Sequence, residues 1–250
     1  MKALGVLLDD GKYQILESLY SEQGYAASVC IDIETKNNYK EYVFNVYSDP
    51  AQINTYLPLF HELRSGICGD YRELLPGNSC IMAVFDYHKG VPLESYFNKL
   101  KKDDYPARAQ AVGSFFEAAI ILDAMPSVFA LSALNPPYTV YNLKDGAVRF
   151  NFVIRPRAEP SPAELREIFI PYIESAFTKN RYLPESAVEF LERLRSGELT
   201  GFVSVCAAWR RISAKAMEEH EAYKEESLFK YIKRKLSRKA KDKLKKQRAN

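Results

Sequence analysis

Pro137-Tyr138-Thr139-Val140-Tyr141-Asn142-Leu143-Lys144-Asp145-Gly146-Ala147-Val148-Arg149-Phe150 is the stretch on which the fold turns. Two short runs of β-branched and aromatic residues, Thr139 to Asn142 and Ala147 to Phe152, flank Lys144-Asp145-Gly146. An Asp-Gly pair between such runs predicts a β-hairpin, because the tight reversal needs residues at ease with positive φ. Upstream, Pro136-Pro137 closes off a helical pattern from Pro106 to Met125 that is apolar nearly all round, through Phe115, Phe116, Ile120, Ile121 and Leu122. That pattern predicts a core helix. A shorter helix precedes it, with Leu93, Tyr96, Phe97 and Leu100 on one face. Downstream, the Pro-rich run from Arg155 to Pro162 leads into helices expected at about 163–178, 184–196 and 200–247.

Further towards the N-terminus the periodicity changes from helical to alternating. Tyr13 to Leu19, Tyr25 to Ile33 and Tyr39 to Tyr47 read as three strands of an antiparallel meander, with a turn at Glu34-Thr35-Lys36-Asn37-Asn38. Asp49 and Pro50 then supply a cap and a first-turn proline, and Ile53, Leu57, Phe60 and Leu63 recur at helical spacing, so a helix of about 15 residues is expected. Strands resume from Cys68 to Leu75 and from Cys80 to Phe85 around Pro76-Gly77-Asn78. The order of three strands, helix, two strands and then mostly helices places the chain in the α+β class.

With 250 residues, 47% of them hydrophobic, the chain has the means to bury a large core, which excludes disorder throughout. No apolar run reaches the ~20 residues of a membrane span, and acidic residues interrupt the N-terminal apolar stretch, so neither a span nor a signal peptide is expected. Cys30, Cys68, Cys80 and Cys206 are dispersed without a C-x-x-C pair, which argues against a disulfide framework or structural zinc and for a reducing cytosol. His61, His88 and His220 are scattered and read as surface residues. The formal charge is +3, yet 230–250 holds eleven basic residues and one acid, so that segment carries +10 and the rest −7. An acidic body joined to a basic tail calls for two separate readings.

The hairpin stretch and the order of elements around it resemble the protein kinase-like superfamily. Pro137 to Phe150 is similar to the segment P-E-N-I-L-L-x-x-D-G-x-V-K-L just after the catalytic loop, and the likeness covers residues 10–155, with the remainder matching loosely. The resemblance implies a bilobal fold, with a five-stranded antiparallel N-lobe carrying one helix and a truncated, mainly helical C-lobe. It places the N-lobe at 1–86, the C-lobe at 87–228 and a basic helical tail at 229–250, with the hinge at Phe85 to Gly90.

Carried over position by position, the family's chemical groups are missing. Aligned on Val29, the glycine-rich loop falls on Glu22, Gly24 and Ala27, so one glycine remains and a carboxylate stands where phosphates would pass. The strand lysine falls on Asn45. Glu62 lies near the end of the helix, whose middle offers Asn54, Thr55 and Tyr56. The H-R-D tripeptide falls on Ser132, Ala133 and Leu134, the magnesium-binding asparagine on Thr139, and the D-F-G aspartate on Phe152, with Asn151 one residue before. Magnesium needs strongly polar oxygen ligands and phosphoryl transfer depends on charge neutralisation, so the resemblance implies no cofactor, no metal and no catalytic residue. Val29, Val43, Phe44, Val140, Tyr141, Phe150 and Phe152 are expected in the core, and Cys206 and Trp209 are expected to pack rather than react.

These observations imply a catalytically inactive, pseudokinase-type binding or scaffolding module, such as a cytosolic adaptor in bacterial secretion or signalling with a protein partner. Arg155 to Pro162 is too short for an activation segment and no A-P-E motif follows. The competing enzyme reading is a small-molecule phosphotransferase with shifted residues. Its candidate acids are Asp70, Asp123 and Asp145, of which Asp145 is explained by its turn and Asp123 by a helix end. In the tail, Phe229, Ile232, Leu236, Ala240 and Leu244 form a narrow apolar stripe among Lys230, Lys233, Arg234, Lys235, Arg238 and Lys239. That pattern suits peripheral contact with the anionic inner face of a membrane, and the lack of aromatic residues after Tyr231 argues against nucleic acid.

Overall fold

The computed structural model describes residues 7–8, 11–34, 40–63, 66–101, 104–178 and 183–224. The alternating segments become β2 (Tyr13–Glu22), β3 (Tyr25–Asp32) and β4 (Glu41–Tyr47), followed by α1 (Pro50–Leu63), β5 (Tyr71–Gly77) and β6 (Cys80–Asp86). With a two-residue β1 (Leu7–Leu8) at one edge they form an antiparallel sheet in the order β1-β2-β3-β4-β6-β5. Asp49 caps α1 as expected, its Oδ1 accepting from the amides of Ala51 at 2.8 Å and Gln52 at 3.1 Å. The expected turn at Glu34–Asn38 lies mostly outside the described residues.

The expected five strands and one helix are therefore present, with β1 as an addition. One sheet face meets α1 and the helical half of the chain in the main core, where Val43, Ala83 and Phe85 are fully buried. On the other face a smaller cluster centres on Tyr13, Cys30, Phe44, Met82 and Val84.

The second half opens with β7 (Val91–Pro92) and α2 (Leu93–Lys99). Next come α3 (Tyr105–Ala119), a 3-10 turn at Ile120–Ala124 and α4 (Ser127–Ala133). After a second 3-10 turn at Pro136–Tyr138, β8 (Thr139–Tyr141) and β9 (Val148–Phe150) form the predicted hairpin. Its reversal uses Gly146 at φ +69°, with Asp145 Oδ1 accepting from the Ala147 amide at 3.0 Å. The chain continues through α5 (Pro162–Thr178), α6 (Glu185–Ser196) and α7 (Gly201–Lys224). The tail candidates Lys230, Lys233, Arg234, Lys235, Arg238 and Lys239 lie outside the described residues.

Two features depart from the sequence reading. Met125-Pro126 ends one helix and starts another, α4, because a proline is tolerated where a helix begins and its missing N–H is not needed. His220 is not a surface residue. It is fully buried and stacks on Tyr105 with ring centroids 4.8 Å apart, since it shares the inward face of α7 with Trp209 and Ala216. His61 is exposed and His88 is half-buried. Val29, Val43, Phe44, Val140, Tyr141, Phe150, Phe152, Cys206 and Trp209 all lie in the core as expected.

Candidate functional site between the sheet and the helices

The region where a nucleotide site would be sought lies between β2–β4, the segment after β6, the β8–β9 hairpin and the chain following Phe150. The β2–β3 reversal is a tight turn at Gln23-Gly24 rather than an open loop. Gly24 has φ +76° and a Cβ there would stand 2.6 Å from the Cβ of Asp49, so this glycine serves the turn and its contact with the start of α1. Glu22 ends β2, with its carboxylate accepting from the Tyr20 hydroxyl at 3.0 Å. Ala27, on β3, is fully buried opposite Asn45.

Asn45 is the centre of this region and is itself fully buried. Its Oδ1 accepts from the Tyr25 hydroxyl at 2.8 Å and from the Ile154 amide at 2.7 Å, and its Nδ2 donates to the Phe152 carbonyl at 2.9 Å. The side chain therefore clasps the chain after β9 as a neighbouring strand would. The Tyr47 hydroxyl donates to the Ile154 carbonyl at 2.6 Å, and that of Tyr56 donates to the Arg155 carbonyl at 3.2 Å while accepting from the Arg157 amide at 3.0 Å. Burial pushes the phenols of Tyr25 and Tyr47 far up, so both stay protonated and remain donors.

Phe152, on which the resemblance set the family's metal-binding aspartate, stacks its ring on Phe85 at 5.1 Å with a 27° tilt. Asn151 points the other way. Its Oδ1 accepts from the His88 amide at 2.7 Å and its Nδ2 donates to the His88 carbonyl at 3.0 Å, so it fastens the hinge segment to the helical half. The guanidinium of Arg155 lies 3.7 Å from the Tyr20 ring centroid and donates to the Tyr138 hydroxyl oxygen at 3.3 Å, closing the opposite end.

The remaining positions are structural in the same sense. Ser132 and Ala133 belong to α4 and Leu134 caps it, so the residues matching a catalytic loop form the end of a buried helix. Ser132 Oγ donates to the Val128 carbonyl at 2.8 Å, and Thr139 Oγ1, fully buried, to the Ala133 carbonyl at 2.9 Å. Glu62 is exposed on the last turn of α1, whereas Tyr56 faces inward, stacked on Tyr47 at 4.8 Å.

The three candidate acids are apart. Asp123 accepts from the amides of Phe202 and Val203, both at 2.8 Å, and so caps α7. Asp145 holds the hairpin turn, and Asp70 lies 3.1 Å from His88 Nε2. The donor set facing the region is thus one amide whose oxygen already accepts two bonds and whose nitrogen donates one, one hydroxyl turned to a carbonyl, and a phenyl ring. These residues do not fit a magnesium–nucleotide complex. Among the described residues no group of three or more His, Cys, Asp or Glu converges as a metal site would require.

Beside the hinge, a polar hollow of about 510 Å³ is lined by Lys40, Glu41, His88, Lys89 and Arg149 among others. Its cations are engaged: Lys89 with Glu41 at 2.7 Å, Lys40 with Asp86 at 2.8 Å, and Arg149 with Asp145 at 2.6 Å. Asp86 also receives Arg72, with Nε donating at 2.6 Å. Burial alone would raise the Asp86 carboxyl, but Arg72 and Lys40 outweigh it and hold it below the usual carboxylate range.

The resemblance singled out Asn45 and Thr139, but the partners they hold were not legible in the sequence. Asn151 entered only as a register alternative. A polar residue directly after a buried strand was the available signal for its role.

No family model matches the chain, and no curated protein matches it. Among solved structures it is similar to the kinase domain of PknI from Mycobacterium tuberculosis. A single mutant of that domain superposes with TM-score 0.51 at 12% identity, over 88% of this chain and 99% of that one. A double mutant of the same domain gives 0.49 at 11% identity over the same shares. At such identity the likeness is one of fold.

Proposed function

We propose, on the premise that this chain has a protein kinase-like fold, that it is a catalytically silent binding or scaffolding module and not a phosphotransferase. The observation that carries this reading is Asn45, fully buried and bonded through both its Oδ1 and its Nδ2 to the chain's own residues 152–154 where a phosphate-binding cation would be needed. The interlobe region is occupied by protein, and Ile154 is followed by only seven residues, 155–161, before α5 begins. That connection is too short to form a substrate-binding segment. Removing a single catalytic group commonly costs about 10²–10⁴-fold in rate, and several are replaced here together.

Thermal unfolding with ATP and magnesium tests the reading, because a ligand at a hundred times its Kd stabilises by ~2.7 kcal/mol. An unchanged midpoint at millimolar nucleotide is expected, together with no phosphate transfer to protein or small-molecule acceptors. A nucleotide-dependent rise that Asn45→Leu abolishes would overturn it.

A second role rests on charge: 230–250 carries +10 against −7 for the rest, which suits reversible attachment to an anionic membrane surface. Among the described residues no helix is long and apolar enough to cross a membrane.

A further inference from the structure

A groove of about 720 Å³ lies away from the interlobe region, over the outer faces of α3 and α7 and beside the hairpin turn. On α3 it is bounded by Pro106, Ala109, Gly113 and Glu117, whose spacing of three and four makes them one continuous face about 16 Å long at 1.5 Å rise per residue. Trp209, Ser213, Ala214 and Met217 supply the facing side of α7. The floor is closed where the two helices touch, since a Cβ on Gly113 would stand 3.1 Å from Trp209 Nε1. Small side chains on both walls let another helix approach closely.

The lining leans towards negative charge. Its acids are Glu117 and Asp145, and its one base is Arg210. Arg210 pairs with Glu117 at 2.8 Å, and Asp145 pairs at 2.6 Å with Arg149, which stands outside the lining. Both pairs are exposed, and each carboxylate has lone pairs to offer a further cation. One turn past Met217 the same face of α7 carries Glu221, also exposed and paired with Lys224. A basic occupant suits such a groove better than an acidic one.

The chain itself supplies an occupant of that kind. One wall of the groove is α7 as far as Met217, and α7 runs on to Lys224, about 10 Å further, where 225–250 follows directly. Coming back over that distance and along the groove takes about 26 Å, or roughly 17 helical residues, so 225–250 is long enough with several residues left for the reversal. Within it Phe229, Ile232, Leu236, Ala240 and Leu244 form the narrow apolar stripe, and 230–250 carries +10 against −7 for the rest. The covalent link also keeps the segment at a high effective concentration beside the groove.

We infer that 225–250 docks in the α3–α7 groove as a basic helix, with its apolar stripe over Ala109, Gly113 and Ala214 and its cations beside Glu117 and Asp145. The stripe that would lie on an anionic membrane is then the one seated in the groove, so the two placements exclude each other. Docking holds the tail back until an anionic surface outcompetes the groove. This adds regulation to the membrane role of the tail and rests on that role for the exchange alone.

Carbodiimide coupling of the full chain tests the docking, because it joins only carboxylates and amines in contact. At low salt, cross-links within one molecule are expected from lysines of 230–250 to Glu117 or Asp145, and high salt should suppress them. Ala214→Phe fills the groove from an exposed position, and Ile232→Glu spoils the stripe without touching the body; each should remove the cross-links. The two variants part on phosphatidylserine vesicles. Ala214→Phe frees the tail and should lower the lipid needed for half-maximal flotation about threefold or more, whereas Ile232→Glu should float less than the wild type. No cross-link from 230–250 to these two acids, cross-links undiminished in both variants, or cross-links found only between molecules would overturn the docking. Equal flotation of the wild type and Ala214→Phe would overturn the exchange. If none of the proteins floats, the membrane role fails by itself, and the cross-links alone decide the groove.

Discussion

Replacing Asn45 by leucine tests the central claim about the interlobe region most directly. The two side chains are similar in size, so the change removes hydrogen bonding while opening little space. Three groups lose their partner: the Tyr25 hydroxyl, the Ile154 amide and the Phe152 carbonyl, now held at 2.8, 2.7 and 2.9 Å. Each buried group left unsatisfied costs about 1–3 kcal/mol, and with some relief from rotation of the phenol the total is about 3–6 kcal/mol. At roughly 2–4 °C per kcal/mol for a chain of this size, the unfolding midpoint should fall by about 6–24 °C. Native-state hydrogen exchange gives the local readout. The Ile154 amide should exchange much faster in Asn45→Leu, while amides in α6, remote from the region, should change only with global stability. Asn45→Lys would supply the charge a nucleotide site needs, yet in a fully buried position it is expected to destabilise without conferring any ATP response. A midpoint shift below about 2 °C in Asn45→Leu, with unchanged exchange at Ile154, would refute the clasp.

Other outcomes follow from the same contacts. Asp86 has its folded carboxyl held below the unfolded value, so its contribution is present above ~3.9 and lost as pH falls through the lower folded value. The stability gap between the wild type and Asp86→Asn should accordingly close on acidification, as read by midpoints from neutral pH down to pH 2; a gap constant with pH would contradict this. Arg108 is fully buried, with Nη1 donating to the Ala176 carbonyl at 3.0 Å and Nη2 to that of Leu100 at 3.1 Å. Arg108→Leu should lower stability by about 2–4 kcal/mol in urea unfolding, and a loss under ~1 kcal/mol would mean that these bonds matter little. For the tail, flotation with phosphatidylserine vesicles should be strong at low salt, fall steeply at high salt and vanish on deletion of 230–250. Indifference to such vesicles at low salt would leave the segment without a membrane role.

What the sequence settled was local. Asp49 and Pro50 announced α1, Asp145-Gly146 announced the hairpin, and alternation at Val29 and Val43 announced strands, because caps, turns and face periodicity act between residues a few positions apart. The order of these elements, with the resemblance it carries, then sufficed for the kinase-like fold, and that resemblance implied that Asn45, Leu134, Thr139 and Phe152 stand at the positions of the family's reactive groups. Helix α4 was hidden because Met125-Pro126 is equally an end and a beginning in sequence, and only packing against α5 decides which. His220 became a core residue because α7 lies on α3, a contact no local pattern encodes. The bonds that fill the interlobe region join Asn45 to a residue 107 positions away and Asn151 to one 63 positions away. Whether an asparagine amide serves a ligand, water or its own backbone depends on what the completed fold brings within 3 Å of it, and that was decided by tertiary structure alone.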